Sequence, residues 1–231
     1  MLVLSIAELA AGCGGDHSGG PQGTPDFVVG HAPQRTMDAR TARVVLAGTD
    51  ARATGVVDFT AGVSRLDLSD GTTVVLTADL VYLRAKGQDK WRPVTIDQLP
   101  ATLRPADPVA AVALVAGSTT ERSDGGAEVR GASTLAYTIE VDALSAISAL
   151  PAGRQPALRR TVGTADQGTL HLQVAVDSQG RLRRVLLPVP LRPGPPTTRL
   201  DGEPVAVTVD IFDFGLAPPV TVPAAADVLP Q

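Results

Sequence analysis

LAYTIEVD (135–142) and TLHLQVAVD (169–177), with VAVTVDIF (205–212) after them, decide the fold of this chain. In each segment apolar residues alternate with polar ones. A strand turns successive side chains to opposite faces, so every second residue shares a side. Leu135, Tyr137, Ile139 and Val141 therefore form one apolar row, and Leu170, Leu172, Val174 and Val176 a second. Val205, Val207, Val209 and Ile211 form a third, opposed by Thr208 and Asp210. Strands with one greasy and one polar side belong to an antiparallel sheet that buries a single face.

Working outward, the same pattern predicts strands over 40–47, 53–60, 63–68, 73–76, 80–86 and 90–93. Later strands are expected over 118–123, 127–131, 133–142, 168–177, 181–191 and 204–214. Turn residues separate them: Ser69-Asp70-Gly71, the KGQD of 86–89, Asp124-Gly125-Gly126 and Ser178-Gln179-Gly180. β-Branched residues dominate the runs, as a half-buried pleated surface prefers.

Two helical insertions interrupt the strands. Asp107 is placed to cap a helix whose first residue is Pro108, where a missing N–H does no harm. On it Val109, Val112, Ala113 and Ala116 share a face, and Gly117 ends it. Asp142 is placed to cap a second helix, 143–150, stopped by Pro151; one further helical turn is expected over 156–160. The sum is an α+β domain. A strongly curved, mostly antiparallel sheet, a half-barrel, carries short helices over its concave face. A closed barrel or a sandwich with a solid core is the competing architecture.

Composition sets bounds. The 231 residues are 44% apolar but only 3% aromatic, so any core is built from Ala, Val and Leu. Net charge is −4 with both signs interspersed and no basic patch, which argues against nucleic acid as a partner. No stretch of 18 apolar residues offers a membrane-spanning helix.

Catalytic and metal chemistry find no foothold. Of the three histidines, His17 and His31 lie in a Gly/Pro-rich stretch and His171 alternates with an apolar row, facing solvent. HExxH, paired cysteines, a G-x-S-x-G elbow, a Walker loop and a dinucleotide fingerprint are all missing. The DLSDG of 67–71 lacks the distal Glu of a calcium loop and reads as a turn. The expectation is a protein that is not an enzyme and has neither cofactor nor metal.

Cys13, the single cysteine, follows Leu9-Ala10-Ala11-Gly12. A short apolar segment ending in small residues before Cys is the processing signal of a bacterial lipoprotein, whose thiol is alkylated with diacylglycerol. Residues 1–13 are read as a truncated or atypical signal of this kind. Ala10 stands where Leu is usual, Glu8 breaks the apolar run, and no Lys or Arg precedes Cys13. A basic n-region is thus expected upstream of Met1. Residues 14–35 read as a flexible tether of about 25 Å r.m.s. span, and 36–231 as a single half-barrel domain. Two or more acyl chains on Cys13 would anchor the domain stably to the cell membrane, outside the cytoplasm.

Several stretches resemble the actinobacterial LppX/LprAFG-type lipoprotein family. They are the lipobox Cys13 with its polar tether, LVYLR (80–84) followed by a Gly turn and Trp91, and LAYTIEVD (135–142). VAVDSQGRLRRV (174–185), VTVDIFDFG (207–215), the segment 219–222 and AAADV (224–228) complete the match, which runs from about residue 36. Arg192–Arg199 looks like an added Pro-rich insertion. The resemblance implies an incomplete antiparallel barrel enclosing an apolar cavity that binds acylated lipids and moves them within the envelope. The three apolar rows would then line the cavity, with the helices bearing Val112 and Ile147 as a movable wall. A hydrocarbon chain leaving a bilayer is penalised by roughly 0.8 kcal/mol per CH₂, so such a carrier needs apolar volume more than directional chemistry. The alternative is an envelope scaffold or interaction lipoprotein whose core is filled.

Overall fold

The computed structural model describes residues 29–48, 52–95, 98, 107–150, 152, 155, 158–159, 169–188 and 206–230. A short helix, α1 (Ala32–Met37), precedes six strands: β1 (Thr41–Ala47), β2 (Arg52–Asp58), β3 (Val63–Leu68), β4 (Thr73–Leu76), β5 (Val81–Arg84) and β6 (Arg92–Val94). Helix α2 (Pro108–Val115) leads to β7 (Ser118–Val129) and β8 (Ala132–Asp142), and α3 (Ala143–Ala149) follows. Strands β9 (Thr169–Asp177), β10 (Leu182–Pro188) and β11 (Ala206–Phe212) complete the sheet.

The strands form one sheet in the order β6-β5-β4-β3-β2-β1-β11-β10-β9-β8-β7. Every neighbouring pair is antiparallel, and β6 and β7 remain apart as edges, so the barrel is not closed. This is the curved half-barrel with short helices expected from the alternation. All but one of the neighbours are consecutive in the chain; β1 instead joins β11 at the centre, with Val44 opposite Ile211.

Local chemistry explains the turns. Asp70 Oδ1 accepts the Thr72 N–H at 2.8 Å, and Gly71 takes φ +86°. In the β9–β10 turn Asp177 Oδ1 accepts from Gln179 N and Arg181 N, both at 3.0 Å. The expected Asp124-Gly125-Gly126 turn does not form. β7 runs unbroken through it with a bulge between Ser123 and Gly125, where Gly125 adopts φ +99°. The hairpin turns at Arg130 and Gly131, φ 51° and 78°. Two successive positive φ values match the twist of the flanking strands, which the three-residue DGG did not have to supply.

Both helix caps form as read. Asp107 Oδ1 accepts Val109 N at 3.0 Å, and Asp142 Oδ1 accepts Ser145 N at 2.7 Å. The tether expected over 14–35 does not take in residues 29–35, which are folded onto the domain. Residues 29–31 make a 3-10 turn and α1 begins at Ala32, with Val29, Ala32, Pro33 and Thr36 buried. Val29 N donates to Glu121 Oε2 at 2.9 Å. Six helical residues are too few to show a period, and packing against the sheet outweighs the Gly- and Pro-rich composition of the stretch that leads into them. The segment before residue 29 lies outside the described residues.

The core has two parts. The larger lies between the inner face of the sheet and the helices, and takes in Val44, Leu46, Leu66, Val74, α2 and the rows of β8–β11. A smaller one lies on the outer face: Val63, Val75 and Trp91, with Tyr82, Val220 and Val228 packed on it. The C-terminal segment builds that second layer. Trp91 N donates to Asp227 O and Leu229 N to Trp91 O, each at 2.8 Å, so Val228 runs parallel beside Trp91.

Candidate functional site: the helix-covered face of the sheet

Sequence alternation put each of three rows on a single side of its strand, and most of the described residues of those rows meet beneath the helices. Ile139, Val141, Leu170, Leu172, Val174, Val176, Val207, Val209 and Ile211 are buried in a single apolar cluster. Leu135 and Tyr137 of the same row are only partly buried, toward the β7–β8 hairpin end of the sheet. Val205 and Cys13 lie outside the described residues. Burial and the nearby Glu121 push the Tyr137 phenol above its ordinary value.

Helix α2 is the centre of the cover. Its sequence PVAAVALV carries no polar side-chain atom, and all eight residues are buried. A helix apolar on every side is a core element and not an amphipathic one. It packs against α1, α3, β3 and β10. Val112 of α2 and Ile147 of α3 are both wholly buried in the same cluster. Gly117 lets the two helices approach, since a Cβ there would collide with Asp142 O and with Ala146. Among the described residues the side-chain polar ties of α2 sit at its N-terminus, where Asp107 caps the helix and meets Ser64 Oγ at 3.5 Å; past its other end Asp142 N donates to Gly117 O at 2.8 Å.

A void remains at that N-terminus. It is lined by Gly62, Ala78, Asp107, Val109, Ala110, Leu150 and Leu158, and measures about 20 Å³. That is the space of one water, not of a lipid tail. None of the three strand rows lines it. Its walls come from turns (Gly62, Ala78) and from the chain after α3 (Leu150, Leu158), where no alternation exists to mark an inward residue. Only the α2 members could have been suggested by helical spacing.

The opposite face of β9–β11 is polar and tightly paired. Asp177 Oδ2 accepts from Arg181 Nε and Nη2 at 3.1 and 2.9 Å and from Arg183 Nε at 2.8 Å. Burial opposes ionisation of this carboxyl, but the hydrogen bonds from Arg181 and Arg183 outweigh it and hold the group below its usual range. Arg184 grips Asp210 with two bonds, 2.7 and 3.0 Å, which raises the guanidinium above its ordinary value against the effect of burial. Arg181 and Arg183 also stack on Phe214, at 4.3 and 4.8 Å from the ring centre. His171 is half-exposed beside Glu140, on the solvent side as expected. Among the described residues no group of three or more His, Cys, Asp or Glu is placed to hold a metal ion. No described helix is long and apolar enough to cross a membrane.

No family model and no curated protein sequence matches the chain. Solved structures do. The lipoprotein LppX of Mycobacterium tuberculosis is similar at a TM-score of 0.49 and 15% identity, covering 86% of this chain and 100% of that one. LprF from Mycobacterium bovis follows at a TM-score of 0.46 and 13% identity, covering 85% and 96%. A LolA superfamily protein from Nitrosomonas europaea is more distant, with a TM-score of 0.29 and 9% identity over 79% and 90%. In fold, the chain is similar to the LppX- and LprF-type lipoproteins.

Proposed function

We propose that this protein is an extracytoplasmic lipoprotein, anchored through a lipidated Cys13, that binds and transfers a lipid or another hydrophobic ligand. The ligand enters between the inner face of the sheet and α2. The observation that carries this reading is the chemistry of that contact. An all-apolar helix lies on a face whose buried centre is apolar apart from Ser64, and no side-chain hydrogen bond fixes the body of the helix there. Apolar contact is non-directional, so a hydrocarbon chain can replace the helix against the sheet without leaving a polar group unpaired. The cover must move, because drug-sized and larger ligands need a pocket of about 300 Å³ or more, whereas the void at the α2 N-terminus measures about 20 Å³.

Native mass spectrometry of protein expressed in a lipid-containing host tests the proposal. Co-purified acyl species, together with slower amide exchange in α2 on delipidation, support it. Delipidated protein that binds no fluorescent fatty-acid probe would end it.

The second reading is a non-enzymatic envelope scaffold with a filled core, acting through its surface. It is favoured by the complete burial of Ile139, Val141, Val209 and Ile211, which leaves the concave face occupied by side chains. Replacing Cys13 by Ala should release either kind of protein from membranes; unchanged partition would refute the anchor.

A further inference from the structure

The outer face of the sheet carries an open groove that the helix-covered site does not explain. Leu80, Tyr82 and Pro93, from β5, β6 and the turn before β5, form its floor. Pro223, Ala225, Val228, Leu229 and Pro230 of the C-terminal segment form its wall. The groove measures about 520 Å³. Its wall is held in place by the Trp91–Val228 pairing and by Lys90 Nζ, which donates to Ala226 O at 2.7 Å. No lining residue is charged, and the Tyr82 hydroxyl is the single polar side-chain group. Among the described residues that hydroxyl has no hydrogen-bond partner in the structure.

We infer that this groove binds a single hydrocarbon chain, such as the acyl tail of a lipid, with the polar head left in water. Three observations select that occupant. The volume falls within the range of small-molecule pockets. Eight lining residues are far fewer than the 20–30 per side that a stable protein interface uses. The exposed lining is more apolar than polar, its polar part being the Tyr82 hydroxyl and backbone groups, and it carries no charge to recognise an ionic group. Unlike the inner face, the groove is open in the state described, so no cover has to move. Its wall is the chain's own C-terminal segment, so occupancy and the seating of that segment on Trp91 are coupled.

Trp91 is the one tryptophan of the chain and packs with Tyr82 and Val228, both groove residues. Its fluorescence therefore reports on this site. Dibromostearate, titrated below its critical micelle concentration, should quench Trp91 saturably, while stearate competes without quenching. Ala225→Phe and Leu229→Asp alter exposed positions and should leave the fold, read by thermal melting, unchanged. Each should weaken quenching by about tenfold, equivalent to losing about two methylenes of contact. A ligand on the inner face lies across the sheet from Trp91 and is untouched by either variant, so probe binding that persists in both variants without Trp91 quenching assigns the chain to the inner site and overturns this one. Absence of quenching, or quenching undiminished in both variants, overturns it as well. Loss of quenching with concentration-dependent dimerisation gives the groove to a second copy and likewise removes the hydrocarbon chain from it.

Discussion

The Thr36 hydroxyl accepts the backbone N–H of Leu182, 146 residues away, at 2.8 Å, and itself donates to Ala32 O at 2.7 Å. One side chain thereby ties α1 to the start of β10 in a wholly buried setting. Thr36→Val keeps the shape but strands the Leu182 N–H. We expect a loss of about 1–3 kcal/mol in urea unfolding. An unchanged midpoint would mean that α1 is not docked on β10 in solution.

Gly117 governs how closely α2 and α3 approach. A methyl group at this position meets Asp142 O and Ala146, backbone and a buried neighbour that cannot swing aside. Gly117→Ala should destabilise by about 1–3 kcal/mol through overpacking. It should also raise amide exchange in α3 before it does so in β9–β11.

Leu114 is wholly buried on α2. Leu114→Ala should cost about 2–5 kcal/mol and leave a cavity beneath the cover. If the inner face takes hydrophobic ligands, the enlarged space should bind a fatty-acid probe more tightly than the parent does. Equal or weaker probe binding in a folded variant speaks for the filled-core reading.

Asp177 sets an acid limit. Its folded-state pKa lies below the unfolded value, so its contribution is fully present above the usual carboxylate range. That contribution is lost as pH falls below about 4 and through the folded value. Asp177→Asn should lower stability at neutral pH by about 1–3 kcal/mol, since three bonds from charged donors lose their ionised acceptor. The variant should also show a shallower stability loss on acidification. Parallel pH profiles for the two proteins would exclude Asp177 as the titrating group.

Period-two alternation in β8, β9 and β11 was readable because each strand puts an apolar row on one face and mostly polar residues on the other. Caps at Asp107 and Asp142 were readable for a similar local reason: a short carboxylate ahead of an apolar run has backbone N–H groups to satisfy. Elsewhere local cues misled. Asp124-Gly125-Gly126 has turn chemistry, yet a bulge absorbs it, because the turn is decided by which residues adopt positive φ and by pairing with β8. Val29 and α1 depend on contacts with Glu121 and Leu182, far along the chain. The small void lined by Gly62, Ala78 and Leu158 arises where three irregular segments converge, and no single-strand pattern encodes such a meeting. The outer groove shows the same limit, since LVYLR and the Pro-rich tail become one surface only through the pairing of Trp91 with Val228.

The seam between β1 and β11 has a kinetic meaning. It sits mid-sheet, yet it joins the first strand to the last, with Ala47 facing Thr208. During synthesis β1–β6 and β7–β10 can each zip into a meander by short-range pairing, but every segment up to β10 must be made before the piece that unites them exists. Contacts of such long sequence separation form slowly. Two half-sheets with bare central edges therefore await one late strand, and that wait is the interval in which this chain is most in need of a chaperone.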